Sequence, residues 1–562
     1  MKNKMFVSYL NSLHNYNAQN PNSYGEKNVG NEFFEKVMVK VRLCDFIVNK
    51  LNTEVPHVII LTGHAGDGKT SIMYQVLNEL DVNFNPNEKI HDITLPNNKR
   101  CRCIKDFSEL ADNQKKEVLE EVVHLPKKDT FVFMVSNTGP LINTFGELFS
   151  DEETESAKIQ LIEAMDDNEG SCRNIMGFDI CVVNVAAVDN TFFATKFLEK
   201  VIDNELWKNC DECSKKEYCH ILKNQFLIQK NKDKVFDFLN YHYIWLMEYG
   251  KRLTIRSMTE QLTYMITGGY NCEDVERIDL YKNLFSNLFF GFLGTRENKK
   301  ALNIIAIREA NKCSYYTKRF RSDEAFLSDY SDDKYMRIFS KDVAEIIKKA
   351  EQKNGYVSGW DELLKRTYIF MNINTDEEKV IYDLEDIFSK QFKNYISLRK
   401  GLSKPSKSDF NLICDALSMI FQGTITNEQV VQITLSRDTG ITQNVQLVTG
   451  TIMRKNIKLI TVKSQDSQYN NNDRYILKLM ISDKILGCNI NLPLFNYFEE
   501  LKNGVISTSI DPQLSHGIES IKAEISALEE DDEDTFELIV LKNNGTDNII
   551  LSINDKNELV EA

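Results

Sequence analysis

The hydrophobic pattern is sharpest between positions 57 and 80. Val58, Ile59, Ile60 and Leu61 form an unbroken apolar run, as a strand covered on both faces requires. Ile72, Met73, Val76, Leu77 and Leu80 then recur at the spacing of one helical face. Glycines at 63, 66 and 68 separate the two, so the segment reads as strand, glycine loop and helix. Further strands are expected over 89–94, 101–106, 130–137 and 179–188, with a helix over 112–124 and an acidic helical excursion over 150–170. Such alternation predicts an α/β layer. Upstream, residues 33–51 read as one amphipathic helix.

The pattern then changes twice. From 190 to 422 it is almost wholly helical, best at 235–246, 258–266, 281–292, 342–352, 384–398 and 408–420. From 424 a period of two takes over in VVQITLS, QNVQLVTGTI, IKLITVK and RYILKLMI, predicting half-exposed antiparallel strands, with QYNNN at 468–472 as a polar turn. Helices near 494–503 and 514–528, a solvated acidic loop at 529–534 and a last strand pair, FELIVL and NIILSI, close the chain. The expected fold class is multidomain α/β. It comprises an N-terminal helical segment (1–55), an α/β core (56–205), a helical lid and helical domain (206–422) and a β-rich α+β C-terminal domain (423–562).

Composition narrows the setting. The 562 residues are 42% apolar and 27% charged, an ordinary globular balance. A formal charge of −15 argues against a protein coated in nucleic acid, though not against a local basic groove. No apolar run is long enough to span a membrane, and MKNKMFVSYLNSLHNYNAQN lacks the apolar core of a signal peptide. The 12 cysteines therefore read as reduced thiols or metal ligands, and the expected location is cytoplasmic.

Gly63-His64-Ala65-Gly66-Asp67-Gly68-Lys69-Thr70 fits G-x-x-x-x-G-K-[ST], the P-loop pattern. Glycines let backbone N–H groups turn onto phosphates, Lys69 reaches the β/γ-phosphates, and the Thr70 hydroxyl ligates Mg²⁺. The helix beginning near Ser71 adds its unpaired N–H groups. Gly63 to Ser71 are thus the expected nucleotide-binding residues. Hydrolysis needs an acid beside Mg²⁺ and a second to orient water. Asp106, ending CRCIKD, is the expected Mg²⁺ acid, with Glu109 as a base and Asp189 as a rival. Asn137 ends an apolar strand and is placed to contact the γ-phosphate, as a sensor residue would. Arg256, near Arg252 in KRLTIRSMTEQL, could reach the same phosphate from a helical lid. Neither an N-K-x-D nor an LSGGQ-like motif is present, so adenine is favoured over guanine and a transporter-type ATPase is excluded.

Cys210, Cys213 and Cys219 lie within ten residues, and C-x2-C is a spacing that grips one tetrahedral ion. A structural Zn²⁺ is expected, with an iron–sulfur cluster and bare thiols as alternatives. His220 is too close to Cys219 for easy joint chelation, leaving Cys172, Cys181, Cys272 or His242 as a fourth ligand. YYTKRFR at 315–321 reads either as a packed helix edge or as a base-stacking surface.

With the glycine loop, VVNVAAVDNTFF, NLFFGFL at 287–293, LTIRSMTEQL and LPLFNYFEELKNG in view, the chain resembles bacterial anti-phage defence ATPases, nearest to the DptF type of phosphorothioation-dependent DNA restriction. The resemblance implies a P-loop NTPase core of the ASCE/AAA+ kind. It also implies an ATP- and Mg²⁺-dependent motor or switch working with other subunits of a defence complex, and with DNA indirectly. Homo-oligomerisation, and a regulator or scaffold with little turnover, remain alternatives.

Overall fold

In the computed structural model Val58–Thr62 forms strand β1, buried at every position. The structure describes residues 2–14, 16, 31–82, 88–166, 170–277, 279–320, 323, 334–373, 387–423, 429–435, 444–464, 468–505, 510–527, 535–542, 545–554 and 558–561. With β2 (Ile90–Thr94), β3 (Arg100–Ile104), β4 (Thr130–Val135), β5 (Cys172–Ile175) and β6 (Phe178–Asn184) it builds a sheet ordered β2-β3-β4-β1-β6-β5. The inner pairs β3/β4, β4/β1 and β1/β6 are parallel, whereas β2 and β5 join antiparallel at the edges. The burial of each strand follows its place. β4 is buried throughout, while edge strand β2 alternates and exposes polar residues.

Helices α1 (Lys2–Ser12), α2 (Glu32–Val37) and α3 (Arg42–Leu51) precede the glycine loop, and α4 (Lys69–Glu79) follows it. Helices α5 (Asp112–His124), α6 (Thr138–Gly146) and α7 (Asp151–Asp166) come later. Alternate residues of β1 feed two cores. Ile59 and Leu61 pack with Phe46 and Ile47 of α3 and Met73 and Val76 of α4, while Val58 and Ile60 pack with Leu119, Phe145 and Leu161 from α5, α6 and α7. Each such side chain, buried fully, adds about 1.5–3 kcal/mol.

The single helix expected over 33–51 is two. Between α2 and α3 the chain is extended, with Met38 at ψ 129° and Val41 at ψ 139°. Val37, Val39 and Val41 alternate and all point inward, and β-branched residues at period two favour extension over a helical turn. The Gln75 side chain fixes the break by donating to the Val39 carbonyl at 3.1 Å.

Beyond β6 the chain is mainly helical: α8 (Phe193–Val201), α9 (Asn204–Trp207), α10 (His220–Lys230), α11 (Lys232–Glu248) and α12 (Ile255–Thr267), then Ile305–Cys313, Lys341–Asn354 and Trp360–Met371. The helix expected over 281–292 shrinks to Phe285–Phe289, because Gly291 turns at φ +78° into a short hairpin, Phe292–Leu293 with Arg296–Glu297. The wholly buried Arg366 holds that turn, donating to Asn287 Oδ1 at 3.0 Å and the Gly294 carbonyl at 2.9 Å beneath the Phe292 ring.

The chain separates into two units, Met1–Ile387 with Gln465–Asn472, and Phe388–Ser464 with Asp473–Ala562. This division is coarser than the four segments read from sequence, and it groups helices Phe392–Arg399 and Lys407–Gln422 with the β-rich region. That second unit contains a five-stranded and a three-stranded sheet and the helices Leu492–Lys502 and Pro512–Ser526. Lys484–Asn489 and Leu559–Glu561 are strands that the pattern did not suggest. The expected helix start at 384–386 and the acidic run at 529–534 lie outside the described residues. No helix among the described residues is long and apolar enough to cross a membrane.

His242 of α11 is fully buried beside Phe238, with Nδ1 3.1 Å from the Tyr315 hydroxyl, and burial drives its pKa down to about 3. The unfolded chain takes up the proton near its ordinary value of about 6.5. Its contribution to stability is therefore complete above that pH and lost as pH falls toward the folded value. Thermal melts from pH 7 to 5 should show a shallower loss of Tm for His242→Phe than for the parent; parallel curves would assign the acid sensitivity elsewhere.

Candidate functional site

Three glycines shape the loop between β1 and α4. Gly63, Gly66 and Gly68 have φ of +144°, +89° and +83°, a region that L side chains rarely adopt. Space adds a second constraint at Gly66, where a Cβ would stand 3.1 Å from both Arg256 Cβ and Thr254 Oγ1. Helix α12 thus starts directly against the loop, and the Arg256 N–H donates to the Gly66 carbonyl at 3.1 Å. Thr254 caps that helix by accepting from the Ser257 N–H at 3.2 Å.

Asp67 does not face outward. Its side chain has no exposed surface; Oδ2 accepts from the His64 N–H at 2.9 Å and Oδ1 from Arg252 Nη1 at 2.8 Å. Arg252 also donates through Nη2 to the Val185 carbonyl at 2.9 Å, just after β6. The two arginines therefore differ in role. Arg252 is fixed to the loop's acid, whereas Arg256 lines the cavity in front of the loop.

That cavity is about 660 Å³, a size suited to a nucleotide or similar ligand. Ala65, Gly66, Gly68, Lys69, Thr70 and Ser71 form one wall. Gly63, His64 and Asp67 shape the loop without lining the cavity. Lys69 Nζ donates to the carbonyls of Gly63 at 3.2 Å and His64 at 2.7 Å, and to Asn137 Oδ1 at 3.0 Å. Burial lowers the lysine's pKa, opposed by the negative charges of Asp67 and Asp106. Asn137 follows β4, next to β1, and its N–H donates to Ser108 Oγ at 2.7 Å. Asp106 follows β3, one strand further out, and its Oδ1 accepts from the Ser108 N–H at 2.9 Å. Both line the cavity.

Glu109 also reaches the cavity, but it is exposed and its carboxylate stands 3.7 Å from Lys89 Nζ. Asp189 is absent from the lining; β6 ends at Asn184, and the buried Asp189 accepts from the Thr191 N–H at 2.9 Å and hydroxyl at 2.7 Å. A cation at Lys69, a second at Arg256 and the start of α4 can hold a polyanion, with Asp106 able to face a divalent cation bound to it.

Sequence reading missed the apolar part of the lining: Tyr9, Phe34, Val39, Phe193, Phe197 and Ile255. Val39 comes from the extended break between α2 and α3, and the two α8 rings stack at 5.5 Å. The alternating valines at 37, 39 and 41 were the available signal.

Cys210 and Cys219 are partly exposed and Cys213 fully so, on turns before α10. Among the described residues no group of three or more His, Cys, Asp or Glu is disposed to hold a metal ion. At 315–320 the aromatic rings of Tyr315, Tyr316 and Phe320 are buried, so they are not offered for base stacking, and Arg321 lies outside the described residues. No family model, curated protein or solved structure matches the chain.

Removing one partner of a buried ion pair strands the other, at about 3–5 kcal/mol. Asp67→Ala should cost that much in urea unfolding, and the double variant with Arg252→Met should lose far less than the sum of the two single changes. A coupling below about 0.5 kcal/mol would mean that the pair holds nothing together.

Proposed function

We propose that the cavity binds ATP with Mg²⁺ and that the protein hydrolyses it as a P-loop ATPase, the motor or switch subunit of a bacterial defence complex of the DNA-restriction type. The observation that carries the nucleotide reading is the meeting of the glycine loop, Lys69, Asp106, Asn137 and Arg256 around one cavity of nucleotide size. Phosphates would lie on the loop's N–H groups and the start of α4, with Lys69 exchanging its carbonyl partners for phosphate oxygens. Thr70 and Asp106 would hold Mg²⁺, and Asn137 and Arg256 would contact the terminal phosphate. The apolar part of the lining suits a purine ring.

The sheet order supports this reading. β4, which Asn137 follows, lies between β1 and β3, the strand that Asp106 follows, so both side chains come from the same edge of the sheet as the glycine loop. The defence setting, partner subunits and indirect work on DNA rest on the sequence resemblance alone. Glu109 favours a second reading, a nucleotide-gated regulator with little turnover, because the expected base is exposed and stands by Lys89.

ATP binding and turnover by the purified chain, with and without DNA, separate the two. For the ATPase, Lys69→Ala and Asp106→Ala should each cut turnover by about 10²–10³-fold, with Asp106→Ala still binding nucleotide. Tight Mg²⁺-dependent binding without turnover under any condition would favour the regulator. Failure of the parent protein to bind any nucleoside triphosphate would sink both.

A further inference from the structure

The cysteines gather at the opposite end of α12 from the glycine loop. Cys210 ends the turn Lys208–Cys210, the Cys213 N–H donates to the Cys210 carbonyl at 3.2 Å, and Cys219 immediately precedes α10. The chain leaving α12 runs alongside them. Lys215 Nζ donates to the Glu273 carbonyl at 3.3 Å, and the Tyr270 ring meets the His220 ring edge-on at 5.3 Å. Cys272 lies between these two contacts and is partly buried. The turns that carry Cys210, Cys213 and Cys219 and the segment that carries Cys272 thus lie side by side.

The other candidates for a fourth ligand are engaged elsewhere. Cys172 faces Cys181 across β5 and β6, His242 lies against Tyr315, and His220 Nε2 is 3.0 Å from the Thr267 carbonyl. We infer that Cys210, Cys213, Cys219 and Cys272 form a zinc site joining the turns before α10 to the chain that leaves α12. Four thiolates with C-x2-C spacing suit a closed tetrahedral site, which is structural rather than catalytic. As thiolates, the sulfurs would repel one another, and a dication reverses that repulsion while the thiols release their protons. Among the described residues the ligands are not preassembled, so binding must draw the exposed Cys213 inward. Its free energy then appears as ordering of these turns. The site stands independently of the nucleotide reading.

The test is metal content of the full chain purified after growth with added zinc and without chelator, together with zinc X-ray absorption. The expected result is one zinc per chain with four sulfur neighbours at about 2.3 Å. Cys272→Ser should weaken retention against a competing chelator by more than the roughly 10–100-fold that loss of an outer-shell partner costs. Cys313→Ser, in the helix Ile305–Cys313, should leave it unchanged. Should Cys272→Ser fail to fold, the sulfur count of the parent chain still decides. Absence of zinc, iron with sulfide in its place, three sulfurs, or a Cys272→Ser protein that holds zinc as tightly as its parent would each overturn the assignment.

Discussion

The carboxylate of Asp67 has no exposed side-chain surface, so its charge has to be met inside the protein, and the geometry of the glycine loop follows from how that is done. One oxygen accepts from the His64 N–H and folds the loop back on itself; the other takes the Arg252 guanidinium. That guanidinium then spends its second nitrogen on the Val185 carbonyl past β6. Three segments distant in sequence are thereby fixed to one another by groups that would each be costly to leave unpaired. The loop is consequently a rigid element, which is what presenting N–H groups to an anion requires.

Helix α12 extends that constraint across the first unit. It starts on Gly66, closely enough that even a methyl group there would crowd Thr254 and Arg256. Along its length it is buried on nearly every side, and its polar residues are satisfied by neighbours that also set its position. Gln261 accepts from the Tyr243 hydroxyl at 2.9 Å and donates to the Phe289 carbonyl at 3.1 Å. At its far end the Thr267 carbonyl meets His220. A buried helix pinned by specific polar contacts moves as a body, because cores have discrete packings rather than soft ones.

What sequence could convey was local. The run Val58–Thr62, the glycines and the apolar face of α4 identify themselves because a strand and a helix have different periods, and Asn137 is marked by following the largely apolar strand β4. What it could not convey depended on long-range choice. Val37 and Val41 suit one face of a helix, whereas Val39 between them suits alternation, and the Gln75 contact to Val39 fixes the extended form. Arg252 and Arg256 lie one helical turn apart in sequence, and nothing nearby says which of them meets Asp67. QYNNN looks like a solvated turn. Instead Tyr469 is 1% exposed against Phe46, and Asn470 accepts from the Asp189 N–H at 3.2 Å, both within the first unit. A polar composition cannot announce that it will be buried with its hydrogen bonds made.

The chain's charge of −15 bears on the two kinds of anion in opposite ways. At physiological ionic strength screening acts over about 8 Å, so acids scattered over the surface contribute little inside a cavity. There the balance is set by Lys69, Arg256 and the start of α4 against Asp106, and a divalent cation turns that last acid from an opponent into a partner. A small polyphosphate can be held on those terms by an acidic protein. A duplex draws its affinity from many phosphate contacts spread over a surface, and a net charge of −15 opposes that except at a local basic groove. The aromatic rings of Tyr315, Tyr316 and Phe320, one reading of which is base stacking, are buried. Local concentration of positive charge thus favours a nucleotide, while the global excess of negative charge weighs against DNA bound across the same molecule.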